Sequence, residues 1–306
     1  MKELFVKSRN EDVQKEAKIM GYEIITTPEP IVEIETKKDE EKAIELSKKN
    51  GKIFLKCRDW KIIPLENLIA KNKGAKLIAM VGSAAEAKLA LETMEVGADG
   101  VVLESESMEE LAKTMKLIEQ YQIEENISIE EAKVVAIKPL EKGDRSCIDT
   151  CIRMKKGEGM LVGSSSQGMI LVQAEVEENE LAAPRPFRVN AGALSLYTPT
   201  PENKTKYIEE IRSGDEVLIV ERSGKTKKAN VARSKIEIRP LVLVEVESEG
   251  RKAVAILQNA ETIRLMTKKD SRPVTELKIG DNVLAHFEKG GRHFGTLVEK
   301  ESIVEK

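Results

Sequence analysis

Aromatic side chains are scarce in this chain: five Phe, four Tyr and one Trp make up 3% of 306 residues. Proteins that grip single-stranded nucleic acid stack bases on rows of such rings, so the composition argues against that class. The charge argues the same way, because 50 Lys and Arg against 53 Asp and Glu give a formal net charge of -3 and no general attraction for phosphate backbones or anionic lipids. Histidine occurs only at His286 and His293, which excludes a histidine-rich metal centre, and no metal is assigned. Three cysteines are too few for a disulfide framework, and Cys147 and Cys151 are spaced C-x-x-x-C rather than the C-x-x-C of redox and zinc sites. Long apolar runs are missing too. Leu77-Ile78-Ala79-Met80-Val81 is among the longest, far below the roughly 20 residues that cross a bilayer. The opening Met-Lys-Glu-Leu-Phe-Val-Lys has neither the apolar region nor the cleavage site of a signal peptide, so a cytoplasmic location is expected. Neither a G-x-G-x-x-G between strand and helix nor a G-x-x-x-x-G-K-[ST] is present, so the common nucleotide fingerprints are absent.

What remains is a globular composition, 41% apolar and 34% charged, in a length that suggests two domains. Residues 1–140 alternate short apolar runs with helical patterns, which predicts parallel βα units in a barrel or open sheet. The strand candidates are Leu4–Val6, Tyr22–Ile25, Lys52–Leu55, Lys76–Met80, Gly100–Leu103 and Lys133–Ile137. Ser83 with Glu86 and Ser107 with Glu110 fit capping boxes, and each opens a helix with apolar residues at i, i+4 and i+7. Residues 141–306 read as a Gly-rich, mainly antiparallel β domain. Within it, residues 210–231 and 276–297 echo one another at an offset of 66: Glu210, Ile211, Gly214, Asp215, Val217, Leu218, Gly224 and Val231 match Glu276, Leu277, Gly280, Asp281, Val283, Leu284, Gly290 and Leu297. A Gly-Asp turn feeding a strand is what a repeated small barrel needs, and Gly143-Asp144 is a weaker third candidate.

Four predicted strands of the first half end on charge, at Lys7, Lys56, Glu104 and Lys138. Carboxyl ends of parallel strands converge on active sites, although any strand ends where polarity begins, and both readings stay open. Gly157, Gly159, Gly163 and Ser164 offer backbone N–H groups and a hydroxyl that suit an anion or a nucleotide phosphate, or else ordinary turns. Arg185 and Arg188, stiffened by Pro184 and Pro186, offer forks for a carboxylate or exposed ion pairs. His293, in Gly291-Arg292-His293-Phe294-Gly295, suits acid or base work or a loop hydrogen bond.

Taken together, these blocks resemble the archaeal-type 3-dehydroquinate synthases, dehydroquinate synthase II. The matching runs are Lys138-Pro139-Leu140-Glu141-x-Gly143-Asp144-Arg145, Asp149-Thr150-Cys151, Gly157–Ser164, Arg185–Gly192, Leu257–Thr262 and Gly291–Gly295. The resemblance implies an NAD-dependent enzyme that converts 2-amino-3,7-dideoxy-D-threo-hept-6-ulosonate to 3-dehydroquinate with release of ammonia, in an alternative shikimate route to aromatic amino acids. On that reading Lys138, Glu104 and His293 are the expected catalytic groups and Arg145, Arg185, Arg188, Lys7 and Lys56 the substrate-binding ones. Gly157, Gly159, Gly163 and Ser164 are expected to bind NAD, with the site in a cleft between the domains. A cofactor-free Schiff-base lysine aldolase built on Lys138 is the alternative, and a nucleic-acid-binding barrel module a weaker one. The expected partner is the small amino sugar acid, with no nucleic acid and no membrane; association of identical chains is left open.

Overall fold

The computed structural model describes residues 2–58, 61–72, 74–122, 126–178, 180–288, 291–293 and 296–298. Two compact units divide between Glu124 and Glu125. The first is a parallel sheet of β1 (Glu3–Lys7), β2 (Glu23–Ile24), β3 (Ile31–Ile34), β4 (Lys52–Cys57), β5 (Lys76–Val81) and β6 (Gly100–Glu104), in the order 2-1-6-5-4-3. This is the order of a barrel opened between β2 and β3. The connecting helices are α1 (Glu11–Ile19), α2 (Lys37–Ser47), α3 (Ile62–Lys71), α4 (Ala84–Glu92) and α5 (Met108–Gln122). Alternate strand residues, among them Leu4, Val6, Ile53, Leu55, Leu77, Val101 and Leu103, pack with the helices, while Phe5, Phe54, Ile78 and Val102 form a smaller cluster on the other face. Both faces are apolar because crossover helices cover one and the curling sheet covers the other. The predicted caps are present in half: Ser83 Oγ and Ser107 Oγ accept from the N–H groups of Glu86 and Glu110. The two glutamates reach elsewhere, Glu86 to the Gly82 N–H and Glu110 to the Ala84 N–H, which ties α5 to the start of α4. No helix among the described residues is long and apolar enough to cross a membrane.

The second unit is built on two long antiparallel strands, β7 (Glu130–Thr150) and β14 (Thr226–Ser248), paired along most of their length. Between them in sequence lie β8 (Glu158–Ser165), β9 (Gly168–Gln173), β10 (Arg188–Ala193), β11 (Tyr197–Thr200), β12 (Lys204–Tyr207) and β13 (Glu216–Glu221). After them come β15 (Arg251–Gln258), β16 (Arg264–Met266), β17 (Ser271–Pro273), β18 (Asn282–Phe287) and a hairpin of β19 (Gly291–His293) and β20 (Thr296–Val298). The pairings form two matching sets. β13 pairs the start of β14 and β18 the start of β7; β8 pairs β13 and β11, as β9 pairs β18 and β16; β12 follows β11, as β17 follows β16; β10 flanks β7, as β15 flanks β14. One continuous aliphatic core runs through both sets.

The repeated turns are duplicated to the atom. Gly214 and Gly280 have φ of +91° and +97°, Asp215 and Asp281 accept from the N–H groups of Arg212 and Lys278 at 2.9 and 2.8 Å, and each turn exchanges two backbone bonds with a valine of a long strand. That valine is Val231 in the first copy but Val134 in the second, not the expected Leu297, so the second repeat is completed by a strand that precedes the first in sequence. This corrects three expectations. The division falls near 124 rather than 140, because β7 is needed by the β unit. Lys133–Ile137 is part of an antiparallel strand rather than a sixth βα strand. Gly143-Asp144 lies inside β7 and is no turn.

Candidate functional site

Three neighbouring strands of the second unit, β10, β7 and β14, align their polar residues in rungs. Arg188 stands opposite Asp149 and Asp149 opposite Arg233; Asn190 opposite Cys147 and Cys147 opposite Lys235; Arg145 opposite Glu237. Because strand side chains alternate between faces, residues two apart share a side, and this set forms one polar surface while Ile148 and Val189 turn into the core.

Asp149 is the centre of the first rung. Arg188 donates to it through Nε at 2.6 Å and a terminal nitrogen at 2.9 Å, and Arg233 does the same at 3.0 and 2.6 Å. Burial by itself would raise this carboxyl, but the two guanidiniums more than offset it and hold Asp149 below its ordinary value. Arg188 is raised by the same hydrogen bonds. Arg188 is buried and committed to Asp149, whereas the Arg233 side chain is 58% exposed and keeps donors free.

Arg145 donates to Gln258 Oε1 at 2.6 Å, to Cys147 Sγ at 2.9 Å and to Glu237 Oε2 at 3.1 Å. Since a guanidinium only donates, the Gln258 atom facing it must be oxygen, so Asn190 meets that oxygen with its amide nitrogen, at 2.9 Å. Asn190 Oδ1 is therefore left buried with no donor among the described residues. Buried acceptors are rarely left this way. Burial pushes the Cys147 thiol up, only partly countered by Arg145, so it is a neutral thiol near pH 7. Glu237 also pairs with Lys235 and Arg239, and Lys235 foremost holds it below the usual carboxylate range. Arg145, Arg188, Arg233, Lys235 and Arg239 outnumber Asp149 and Glu237, so the surface carries surplus positive charge.

Sequence reasoning placed Arg145 and Arg188 here and quoted the runs that hold Asp149, Asn190 and Gln258. It missed Arg233, Lys235 and Glu237, which lie on β14 outside any recognised motif and become neighbours only through the strand register. Arg185 lies at the margin of this surface, paired at 3.1 Å with Glu175, whose charge also acts on Cys147 and Arg188. Lys138 is not a strand end: β7 continues to Thr150, Lys138 is exposed opposite Leu243, and Ile137 beside it pairs with buried Val244. In the first unit, Lys7 and Lys56 do converge on Glu104, at 2.9 and 3.3 Å, and these bonds outweigh partial burial to lower Glu104. His293 falls in β19, but its side chain, with Phe294 and Gly295, lies outside the described residues.

Of the expected cofactor residues, Gly159 and Gly163 sit inside β8, where an added Cβ would lie 1.9 Å from Val172 O and 2.1 Å from Gly168 O. Close approach of β9 accounts for both glycines, so they are not a phosphate cradle. Ser164 is exposed at the irregular end of the same pairing. Gly157, with φ +86°, lines a cleft of about 750 Å³ together with Lys155, Lys156, Arg222 and Lys268. The Arg222 guanidinium lies over Gly157, and its Nε is buried without an acceptor among the described residues. Three of the carboxylates in that cleft are engaged by cations: Glu130 by Arg251, Glu131 by Lys268 and Glu158 by Lys227. Gly157 itself is buried and donates its N–H to Gln173 Oε1 at 3.2 Å, so Arg222 and the lysines, not the glycine, are the donors that fit the diphosphate of a dinucleotide.

Comparison with known proteins agrees with the family resemblance. Residues 3–118 match the family described as 3-dehydroquinate synthase II N-terminal domain, and residues 131–306 the 3-dehydroquinate synthase II C-terminal domain. The chain is 47% identical over 305 residues to a 3-dehydroquinate synthase of Methanocaldococcus jannaschii, covering 98% of this chain and 83% of that one. It is 48% identical over 303 residues to a 3-dehydroquinate synthase of Methanopyrus kandleri (95% and 74%) and 45% identical over 312 residues to a 3-dehydroquinate synthase homolog of Aquifex aeolicus (98% and 91%). No solved structure matches.

Proposed function

Since the chain belongs to the 3-dehydroquinate synthase II family, we propose that it catalyses NAD-dependent oxidative deamination of 2-amino-3,7-dideoxy-D-threo-hept-6-ulosonate and its closure to 3-dehydroquinate, on the polar face of β10, β7 and β14. In the overall reaction the amino sugar acid, NAD and one water give 3-dehydroquinate, ammonia, reduced NAD and a proton. The observation that carries the substrate class is the unpartnered Asn190 Oδ1 beside a surplus of guanidinium groups. An acceptor without a donor calls for an N–H, and the arginines call for an anion. A carbon bearing an amine next to a carboxylate supplies both.

In this reading Arg233, aimed by Asp149, holds the carboxylate with donors left after that ion pair, and Asn190 Oδ1 accepts from the amino group at C2. NAD supplies the hydride acceptor, and Arg222 and Lys155, which line the cleft, would hold its diphosphate. After hydrolysis of the imine, C7 attacks the C2 ketone, and this step needs a donor at the C6 oxygen or a base near C7. Lys138 stands on the same face but farther along the strands, beyond the irregularity next to Leu140 and opposite Leu243, and is replaced in that role by Lys235, which stands opposite Cys147.

Purified protein given NAD and the amino sugar acid should form 3-dehydroquinate, ammonia and reduced cofactor in equal amounts. Product without cofactor reduction would instead support the lysine aldolase. Lys235→Met should retain NAD reduction while the open-chain diketone accumulates, with cyclisation slower by roughly 10²- to 10⁴-fold, and Lys138→Met should not. Full cyclisation by Lys235→Met would remove Lys235 from the reaction.

A further inference from the structure

The face of the parallel sheet turned away from the helices is layered. Buried Phe5, Phe54, Ile78 and Val102 fill its middle. The Phe5 and Phe54 rings meet edge to face at 5.9 Å although β6 and β5 lie between their strands, so the sheet curls as a barrel wall does. Two residues further along each strand, and therefore on the same side, stand Lys7, Lys56, Met80 and Glu104; two residues back stand Glu3, Lys52, Lys76 and Gly100.

The two charged layers differ. At the amino ends Glu3 is bonded by Lys76 and, at 2.6 Å, by Lys52 from the far side of the curl, and it is 25% exposed. At the carboxyl ends Glu104 is held more loosely by Lys7 and Lys56, at 2.9 and 3.3 Å, and is 38% exposed. Parallel barrels and sheets bind ligands at the carboxyl ends of their strands, whereas the amino ends serve stability.

The backbone donors around that mouth are occupied by the chain's own carboxylates. Glu106 accepts from the Ser8 hydroxyl and from the N–H groups of Arg9 and Asn10, and Glu86 from the Gly82 N–H. Glu110 accepts from the Ala84 N–H, and Asp39 from those of Glu35 and Thr36. Loop and helix-start N–H groups are what commonly hold a phosphate, and here they are taken. The Lys7 and Lys56 ammoniums are not: each has three N–H groups and one bond among the described residues, to Glu104. The three side chains carry one surplus positive charge, and Glu104 keeps lone pairs beyond its two ion pairs. Such a set suits a carboxylate between the lysines and a hydroxyl that donates to Glu104.

We propose that the carboxyl ends of β1, β4 and β6 form a second ligand site, for a polyhydroxy carboxylic acid that bears no phosphate. Lys7 and Lys56 bind the carboxylate, and Glu104 accepts from a hydroxyl. The substrate and the product of the reaction proposed above both belong to this class, and only the choice between them rests on that reading.

The full chain labelled with carbon-13 in its methionine methyl groups reports on the mouth through Met80, whose signal is identified with Met80→Leu. Titration with quinate, a stable hydroxy acid, should shift that signal saturably, and inorganic phosphate at the same concentration should not. Lys7→Gln and Lys56→Gln should each weaken quinate roughly tenfold or more, the scale of a hydrogen bond to a charged group, and the double variant should abolish the shift. Arg233→Ala, in the other unit, should leave it intact, so failure of the reaction and failure of this site are read separately. Quinate should bind roughly tenfold more tightly than cyclohexanecarboxylate, which lacks hydroxyls, and Glu104→Gln should close that gap. Without NAD, the amino sugar acid and 3-dehydroquinate titrated in the same way show which of the two binds more tightly. A Met80 signal indifferent to quinate, a shift that survives loss of both lysines, phosphate binding as tight as that of quinate, or a hydroxyl preference unchanged in Glu104→Gln would each overturn the proposal.

Discussion

Asp149 carries two guanidinium partners while being nearly buried, so it combines a structural and an electrostatic duty. Removing one member of a buried pair leaves an uncompensated charge, and Arg188→Ala should cost about 3 to 5 kcal/mol in urea unfolding. Arg233→Ala, at the exposed end of the rung, should cost far less and act on substrate affinity. Because the carboxyl of Asp149 lies below its ordinary 3.8 in the folded protein, its contribution is complete above about pH 4 and lost as pH falls through the lowered value. The stability gap between wild type and Asp149→Asn should therefore be constant at neutral pH and narrow in acid; a gap that widens on acidification would contradict the ion-pair account. Arg222→Ala should weaken NAD binding by roughly tenfold or more, the scale of a hydrogen bond to a charged group, as read by titration calorimetry without substrate. Arg145, Arg188 and Gly157 were legible in the sequence because they sit in dense motifs. Arg233 and Lys235 were not, since their closeness to Asp149 and Cys147 depends on a register set by bulges in β7 and β14.

At the scale of elements, the two Gly-Asp turns carry out the same local task in different places. Asp215→Ala and Asp281→Ala each remove a carboxylate that accepts a turn N–H and an ion-pair partner, Lys206 in one case and Arg272 in the other. Each should cost about 1 kcal/mol, and near-equal shifts in urea midpoint would express the repeat as energy. The sequence showed this repeat because turn chemistry demands particular residues at fixed offsets. It also showed five of the six parallel strands, whose apolar runs are bounded by polar or glycine residues. It did not show β3, Ile31–Ile34, where Val32 and Ile34 alone are buried, nor that Lys133–Ile137 belongs to a different sheet. An apolar run of that length reads alike in either setting.

For the whole molecule, the division near residue 124 predicts how the chain can be cut. A fragment of residues 125–306 keeps all of β7 and should fold cooperatively with a β-type circular dichroism spectrum. One starting at 141 loses the residues that pair β18 and seven of the sixteen that pair β14 and should be insoluble; if the shorter fragment folds equally well, β7 is not the strand that completes the second half.

The strand borrowed from upstream also sets the order in which the β unit can be completed during synthesis. Glu130–Lys133 leaves the ribosome long before its partner Asn282–Ala285. Until then one flank of β7 stays open, and a chain that stalls before residue 282 presents an unpaired strand edge next to apolar Ala132 and Val134. Closure of so distant a pair is slow because it must offset the entropy of a long loop before any contact rewards it. The same strand that unites the two repeats is thus the place where an unfinished chain is most exposed to wrong partners.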